Sequence, residues 1–265
     1  MKVTFKEKRL KEQLVIDDKT KQLFDFIMNN KEYLDMTIFI LTIMDEECNE
    51  KDLEKFIEGI FLYDKIKENI EKTNEFKNIL YKFYTLEESE SKIIIDSRRG
   101  GFLELIMLEI SPLKRYENSF VEKVRESLFL RENRKIDNKD IDLVCISKSV
   151  ENDKASEKDI ISVECIECKI VLESFLKKEN LKNVGKISFM KNVKKCLMED
   201  CNILSDLYFA TLSKESGFEE VVLKSDFDAQ EFKVFNGRDI KKYLNNNELS
   251  NPCQVSIKKC VDILS

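Results

Sequence analysis

Residues 160–170 form an apolar run, IISVECIECKI, that ends on two opposite charges. Read as a strand, Ile161, Val163 and Cys165 share one face, and Glu167 and Lys169 continue it. Residues two apart on a strand lie about 7 Å apart, so a carboxylate and an ammonium project side by side from a surface otherwise built for burial. Charges buried without partners cost several kcal/mol. The fold must answer them with a metal ion, a mutual salt bridge or a cleft open to solvent.

The chemistry open to such a pair is narrowed by what is missing. The 265 residues contain no histidine, which excludes Ser-His-Asp and Cys-His hydrolases, His-ligated zinc enzymes and His-based nucleases. Hydrolysis by this chain has to rely on carboxylates, lysine and a hard divalent cation. Eight cysteines are present, but the secretory context that favours disulfides is not. Cys165 and Cys168 make a lone C-x-x-C whose side chains point to opposite strand faces. No second C-x-x-C completes a four-ligand zinc site, so reduced core thiols are expected. No apolar stretch approaches membrane-spanning length and the first residues lack a signal-peptide core. A cytoplasmic protein with no membrane partner is expected.

Charge is unevenly distributed behind the net value of −6. Residues 1–95 carry 16 basic and 21 acidic side chains, whereas residues 96–265 carry 29 and 30. Within the second part, residues 181–195 (LKNVGKISFMKNVKK) hold five lysines and no acid, and residues 98–135 hold nine basic and six acidic groups. Such stripes steer polyanions better than net charge implies, although solvated helix faces give the same pattern.

Residues 1–90 read as helices, with Leu23, Phe26, Ile27, then Leu34 to Ile43, then Leu53, Phe56, Ile57 and Ile60 at helical spacing. A helix over 64–85 follows, and the polar stretch Glu87–Ser91 marks a boundary. Beyond it the sequence predicts an apolar run at Ile93–Ile95, a turn over Asp96–Gly101, a helix from Phe102 to Ile110 and another over 117–131. Next come a strand over 141–146, a polar hairpin loop over 148–159, the strand 160–170 and a helix over 186–200. Strands at 206–213, 219–224 and 231–235 precede an Asn236-Gly237 turn and a helix over 238–247. The chain is therefore expected to hold a helical region at 1–90 and an α/β domain at 91–265.

Four candidate groups fall in a set order within the α/β part. Glu104 lies in an apolar helix, Asp142 in a strand, and Glu167 with Lys169 at the end of the next strand. This arrangement resembles the PD-(D/E)xK nuclease superfamily, in which a helix glutamate, a strand aspartate and an E-x-K converge on one or two Mg²⁺ ions. The resemblance covers about residues 93–247. It implies a restriction-endonuclease-like mixed β-sheet core flanked by helices, preceded by an all-α N-terminal region. Asp142, Glu167, the Cys168 carbonyl and Glu104 would hold Mg²⁺, with Mn²⁺ able to substitute. Lys169, its pKa pushed down, would orient or deprotonate the attacking water or stabilise the phosphorane. Asp140 is an alternative to Asp142, and Glu109 to Glu104. The proline that usually precedes the strand aspartate is absent, the preceding residues being Asp140-Ile141.

The implied activity is Mg²⁺-dependent hydrolysis of DNA phosphodiesters, in restriction or defence against foreign DNA, with RNA a second possible substrate. Arg98 and Arg99, ahead of Gly100-Gly101, suit phosphate contact at a helix N-terminus. Lys186, Lys191, Lys194 and Lys195 suit the helix that often faces DNA in that family. Residues 1–90 would dock a protein partner or form a homodimer. The alternative is a catalytically inactive nucleic-acid-binding or protein-interaction subunit of a larger complex. Each residue also has a plain structural explanation. Glu167 and Lys169 would be a strand-end salt bridge, Asp142 a turn residue, Glu104 part of a half-buried helix, and the arginines solvated groups beside a glycine turn.

Overall fold

The computed structural model describes residues 3–8, 16–44, 50–63, 70–87, 93–117, 119–151, 154–176, 181–214, 231–245, 254–257 and 260–262. The strand expected at 219–224 lies outside them. The chain divides into a sheet-containing unit, Met1–Gln13 with Met107–Ser265, and a helical unit, Leu14–Ile106.

The first unit is built on one mixed sheet. Its strands are β1 (Val3–Glu7), β2 (Ser119–Arg131), β3 (Arg134–Glu151), β4 (Lys154–Cys168), β5 (Leu204–Ala210), β6 (Phe232–Phe235), β7 (Gln254–Ile257) and β8 (Cys260–Asp262). The order is β6-β5-β4-β3-β2-β1-β8, with β7 also beside β2. Strands β1 to β4 pair antiparallel, whereas β4–β5, β5–β6 and β2–β7 are parallel. The chain is thus of α/β class, as expected. It is not all-helical before residue 90, because Val3 and Phe5, alternating with Thr4 and Lys6, form an inner strand beside β2.

Two further expectations are corrected by tertiary pairing. Residues 117–131 are not a helix; β2 occupies them and pairs with β3 from Ser119↔Ser149 to Arg131↔Arg134. Glu126 takes φ 40°, and the register with β3 slips between Leu128 and Leu130. These irregularities bring Val124 and Phe129, of opposite parity, into one core, which blurs the period of two that identifies a strand. Residues 148–159 are not a loop, since β3 and β4 stay paired as far as Glu151↔Lys154. The polar Lys148 is accommodated there because Glu122 of β2 meets it at 3.1 Å, with both side chains buried.

The connection from β4 to β5 runs through α6 (Leu172–Phe175) and α7 (Leu181–Cys201). Ile187, Phe189, Met190, Val193 and Leu197 of α7 join Val144, Ile146, Val163, Cys165, Leu207 and Phe209 of the sheet in one core. Most of these side chains exclude solvent completely, and burying each large aliphatic one contributes about 1.5–3 kcal/mol. Asn236 accepts hydrogen bonds from the N–H groups of Arg238 and Asp239, and so caps the helix Gly237–Asn245. The expected Asn236-Gly237 turn is this helix start.

The helical unit contains α1 (Asp18–Asn29), α2 (Leu34–Ile43), α3 (Glu50–Tyr63), α4 (Ile70–Tyr84) and most of α5 (Ile93–Ile110). Asp17 caps α1 by accepting from the Thr20 N–H at 2.8 Å, a contact worth about 1 kcal/mol. Phe26, Tyr33 and Phe76 cluster with ring centroids 4.9–5.4 Å apart. Residues 96–101 form no turn, because α5 runs through Gly100 and Gly101.

Candidate functional site

Asp142 and Glu167 follow from the β3–β4 register. Leu143 pairs with Ile166, so the next residue outward on each strand is Asp142 on one side and Glu167 on the other. Alternation puts both on the face that carries Val144, Cys165 and the α7 contacts. The apolar surface therefore ends in two carboxylates, and Glu167 is only 1% exposed. The Cys168 N–H donates to Asp142 Oδ2 at 2.7 Å, which ties the two strand ends together.

Lys169 closes the pair. Its Nζ lies 2.7 Å from Glu167 Oε1 and 3.5 Å from Asp142 Oδ2. It donates to the Cys168 carbonyl at 3.0 Å and sits 5.2 Å from the centre of the Phe175 ring. A second ammonium arrives from α7: Lys186 Nζ is 2.9 Å from Glu167 Oε2, 3.2 Å from Asp140 Oδ1 and 3.9 Å from Asp142 Oδ1. Asp140 also pairs with Lys8, which follows β1 and lies 3.7 Å from Glu126. Three carboxylates and three ammonium groups thus meet where β3, β4 and α7 converge.

The electrostatics follow from burial and pairing. Desolvation, and then the neighbouring Asp142 charge, push Glu167 above the usual glutamate range against the pull of Lys169 and Lys186. Burial works to lower Lys169, but Asp142 and Glu167 outweigh it and hold the ammonium above the usual lysine range. The downward shift expected for Lys169 is therefore reversed among the protein's own charges. Lys186 is likewise raised, burial being outweighed by Glu167, Asp142 and Asp140.

Of the other expected site residues, Arg98, Arg99 and Glu104 belong to the helical unit and the lysines to α7. Arg98 and Arg99 do not offer themselves to phosphate; they are 1% and 4% exposed inside the helical unit. Arg98 donates to Asp17 Oδ2 at 2.6 Å and to the Phe83 carbonyl at 2.8 Å. Arg99 donates to the Leu41 carbonyl and to Asp96 Oδ1, each at 2.8 Å. Both lie within α5 rather than at its start, so no free N–H groups accompany them. Glu104 is a buried residue of α5 in the same unit. Lys186 faces the carboxylates instead of forming part of an outward basic stripe. Lys191 is half-buried, Lys194 pairs with Glu231 at 3.0 Å, and Lys195 is exposed beside Glu199.

Lys186 was legible as a site residue in principle. Its position continues the apolar stripe Met190, Val193 and Leu197 at i+4, i+7 and i+11, which is the buried face of α7. Nothing in the local sequence points to Lys8 or to Phe175.

On the opposite sheet face Glu164, 2% exposed, accepts from the Leu113 and Lys114 N–H groups at 2.8 and 2.7 Å. Desolvation and the Asp206 carboxylate push it up to about 7, against those hydrogen bonds and the Lys114 charge. Asp206 is itself bound by Lys114 and Lys233 at 2.7 and 2.8 Å. Cys145, Cys165, Cys168, Cys196 and Cys201 are free thiols. Burial raises Cys145 and Cys165 far above the ordinary thiol range, so these two are unreactive core groups.

Among the described residues, no three acidic or cysteine side chains gather as a metal-holding group; Asp140, Asp142 and Glu167 converge on Lys186 instead. The donor set nevertheless suits a hard cation, with carboxylate oxygens from neighbouring strands and a backbone carbonyl beside them. Glu167 Oε2 is buried with an ionic neighbour but no aligned hydrogen bond, so it retains capacity to coordinate. Among the described residues, no helix is long and apolar enough to cross a membrane.

No protein-family model and no curated protein matches the chain. One solved structure with similarity is that of protein VC1899 from Vibrio cholerae, at 10% identity and a TM-score of 0.40. The match covers 92% of this chain and 57% of that one, so the chain spans little more than half the length of that protein.

Proposed function

We propose that the sheet unit is a metal-dependent nuclease of PD-(D/E)xK type that hydrolyses phosphodiester bonds in DNA. The observation that carries this reading is the meeting of Asp142, Glu167 and Lys169 at the paired ends of β3 and β4, on a face that is otherwise apolar core. Asp142, Glu167 and the Cys168 carbonyl would hold Mg²⁺, which when bound polarises the scissile phosphate. Lys169, fixed by two carboxylates and a carbonyl, supplies a positive charge beside the developing phosphorane. The Cys168 N–H keeps Asp142 in place, and Phe175 shields the Lys169 ammonium from one side. Restriction or defence against foreign DNA is the setting that accords with the family resemblance, with the helical unit as the partner-docking or dimerisation element.

A second reading has an observation of its own. Three ammonium groups already pair with the three carboxylates, which favours an inactive subunit that keeps the cluster as a structural ion-pair network. Cleavage of plasmid, linear DNA and RNA in Mg²⁺, Mn²⁺ or EDTA separates the two, using wild type, Lys169→Ala and Asp142→Ala. The nuclease reading expects metal-dependent cutting that falls at least a hundredfold in both variants. Absence of cutting by a folded wild type in every metal favours the inactive subunit.

A further inference from the structure

The three carboxylates of the cluster share one ammonium, Lys186, at 2.9 to 3.9 Å. The other two lysines have additional holds. Lys169 keeps the Cys168 carbonyl and the Phe175 ring, and Lys8 keeps Glu126 while serving as the second partner of Asp140. Lys186 reaches in from α7, an element separate from the strands that bear the acids, and among the described residues its ion pairs are with these carboxylates. The side chain is 13% exposed, and a four-carbon stem gives the head group a route to water.

We propose that Lys186 is a resident counter-cation that a divalent metal displaces, so that loading the site exchanges an ammonium for a metal. The proposal rests on the metal-binding role given above to Asp142 and Glu167. With Lys186 in place, Asp140, Asp142, Glu167 and the Lys8 partner Glu126 face three lysines, leaving one net negative charge. Adding a divalent ion would then leave one uncompensated positive charge in a largely buried cluster, an arrangement that low-dielectric surroundings penalise heavily. Withdrawal of Lys186 to solvent removes that excess and frees Glu167 Oε2. Asp140 remains paired through Lys8, so the exchange leaves no carboxylate unanswered.

Manganese binding to the full chain tests this, read by the paramagnetic resonance of free Mn²⁺ and by isothermal titration. Lys186→Met is expected to bind Mn²⁺ at least tenfold more tightly than wild type, and Lys186→Met/Glu167→Gln to lose that gain. In the wild type, acetylation followed by mass spectrometry should show Lys186 labelled several-fold faster with saturating Mn²⁺, and Lys169 unchanged. The labelling result stands alone should Lys186→Met fail to fold. Wild-type binding and cutting with no gain in Lys186→Met, or with unchanged Lys186 labelling, overturns the displacement and leaves the nuclease reading intact. Absence of Mn²⁺ binding in wild type and Lys186→Met alike overturns both.

Discussion

Glu164 makes the stability of the sheet unit depend on pH in a direction opposite to that of a salt-bridged acid. Its carboxyl is buried, clamps the Leu113 and Lys114 N–H groups, and titrates at about 7 against an unperturbed 4.5. The folded state therefore holds a proton that the unfolded chain has released. Stability from this group is fully present below about pH 4.5 and is lost as pH rises through about 7. At about 1.36 kcal/mol per pH unit the whole effect is about 3.4 kcal/mol, of which about 2.5 kcal/mol falls between pH 5 and pH 8. Other groups titrate in parallel, so the quantity to measure is the difference between wild type and Glu164→Gln. The amide keeps one acceptor for the loop N–H groups and cannot ionise. Urea denaturation followed by circular dichroism at intervals from pH 5 to pH 8 gives that difference. Glu164→Gln should be the less stable protein at pH 5 and should gain on wild type by about 2.5 kcal/mol at pH 8. Stability curves that run parallel across this range would refute the argument that burial outweighs the two backbone hydrogen bonds.

Three other substitutions probe the rest of the molecule. Arg98→Met strips the donors from Asp17 and the Phe83 carbonyl, and should cost about 3 kcal/mol in thermal unfolding. Glu122→Leu leaves Lys148 buried opposite an alkyl group and should cost about 3–5 kcal/mol, most of which Glu122→Leu/Lys148→Met should recover in the same assay. Gly237→Ala would place a methyl carbon 2.2 Å from the Leu212 carbonyl oxygen. The backbone must move to relieve the clash, and denaturant unfolding should report a loss of about 2 kcal/mol.

The β3–β4 part of the cluster was legible because its signal is local. Alternation along 160–170 puts Glu167 and Lys169 on the core face, and a second apolar strand upstream supplies Asp142. The pairing of those strands then brings the three together. Elsewhere the deciding interactions are distant in sequence. Residues 117–131 carry a helical spacing of apolar groups, and only the sheet partners on both edges make them a strand. Arg98 and Arg99 look exposed in isolation, yet carbonyls of Phe83 and Leu41 and the Asp17 carboxylate satisfy them in the interior. Gly100 and Gly101 read as a break but are carried by the flanking helix. A basic run such as 181–195 cannot disclose which of its lysines turns inward until the opposing acids are placed.

The placement of β1 has a bearing on how the sheet closes during folding. Val3 lies opposite Arg131 and Phe5 opposite both Phe129 and Val261. Strand β1 is thus stitched between two strands that both lie far from it in sequence. Until both pairings form, β1 presents an open hydrogen-bonding edge of the kind that recruits other chains. Lys8 follows this strand, so its ammonium reaches Asp140 only when the long-range β1–β2 seam closes. Completion of the cluster is then tied to that one pairing, and a chain cut short of residue 9 at its start should lose the second partner of Asp140 together with the strand.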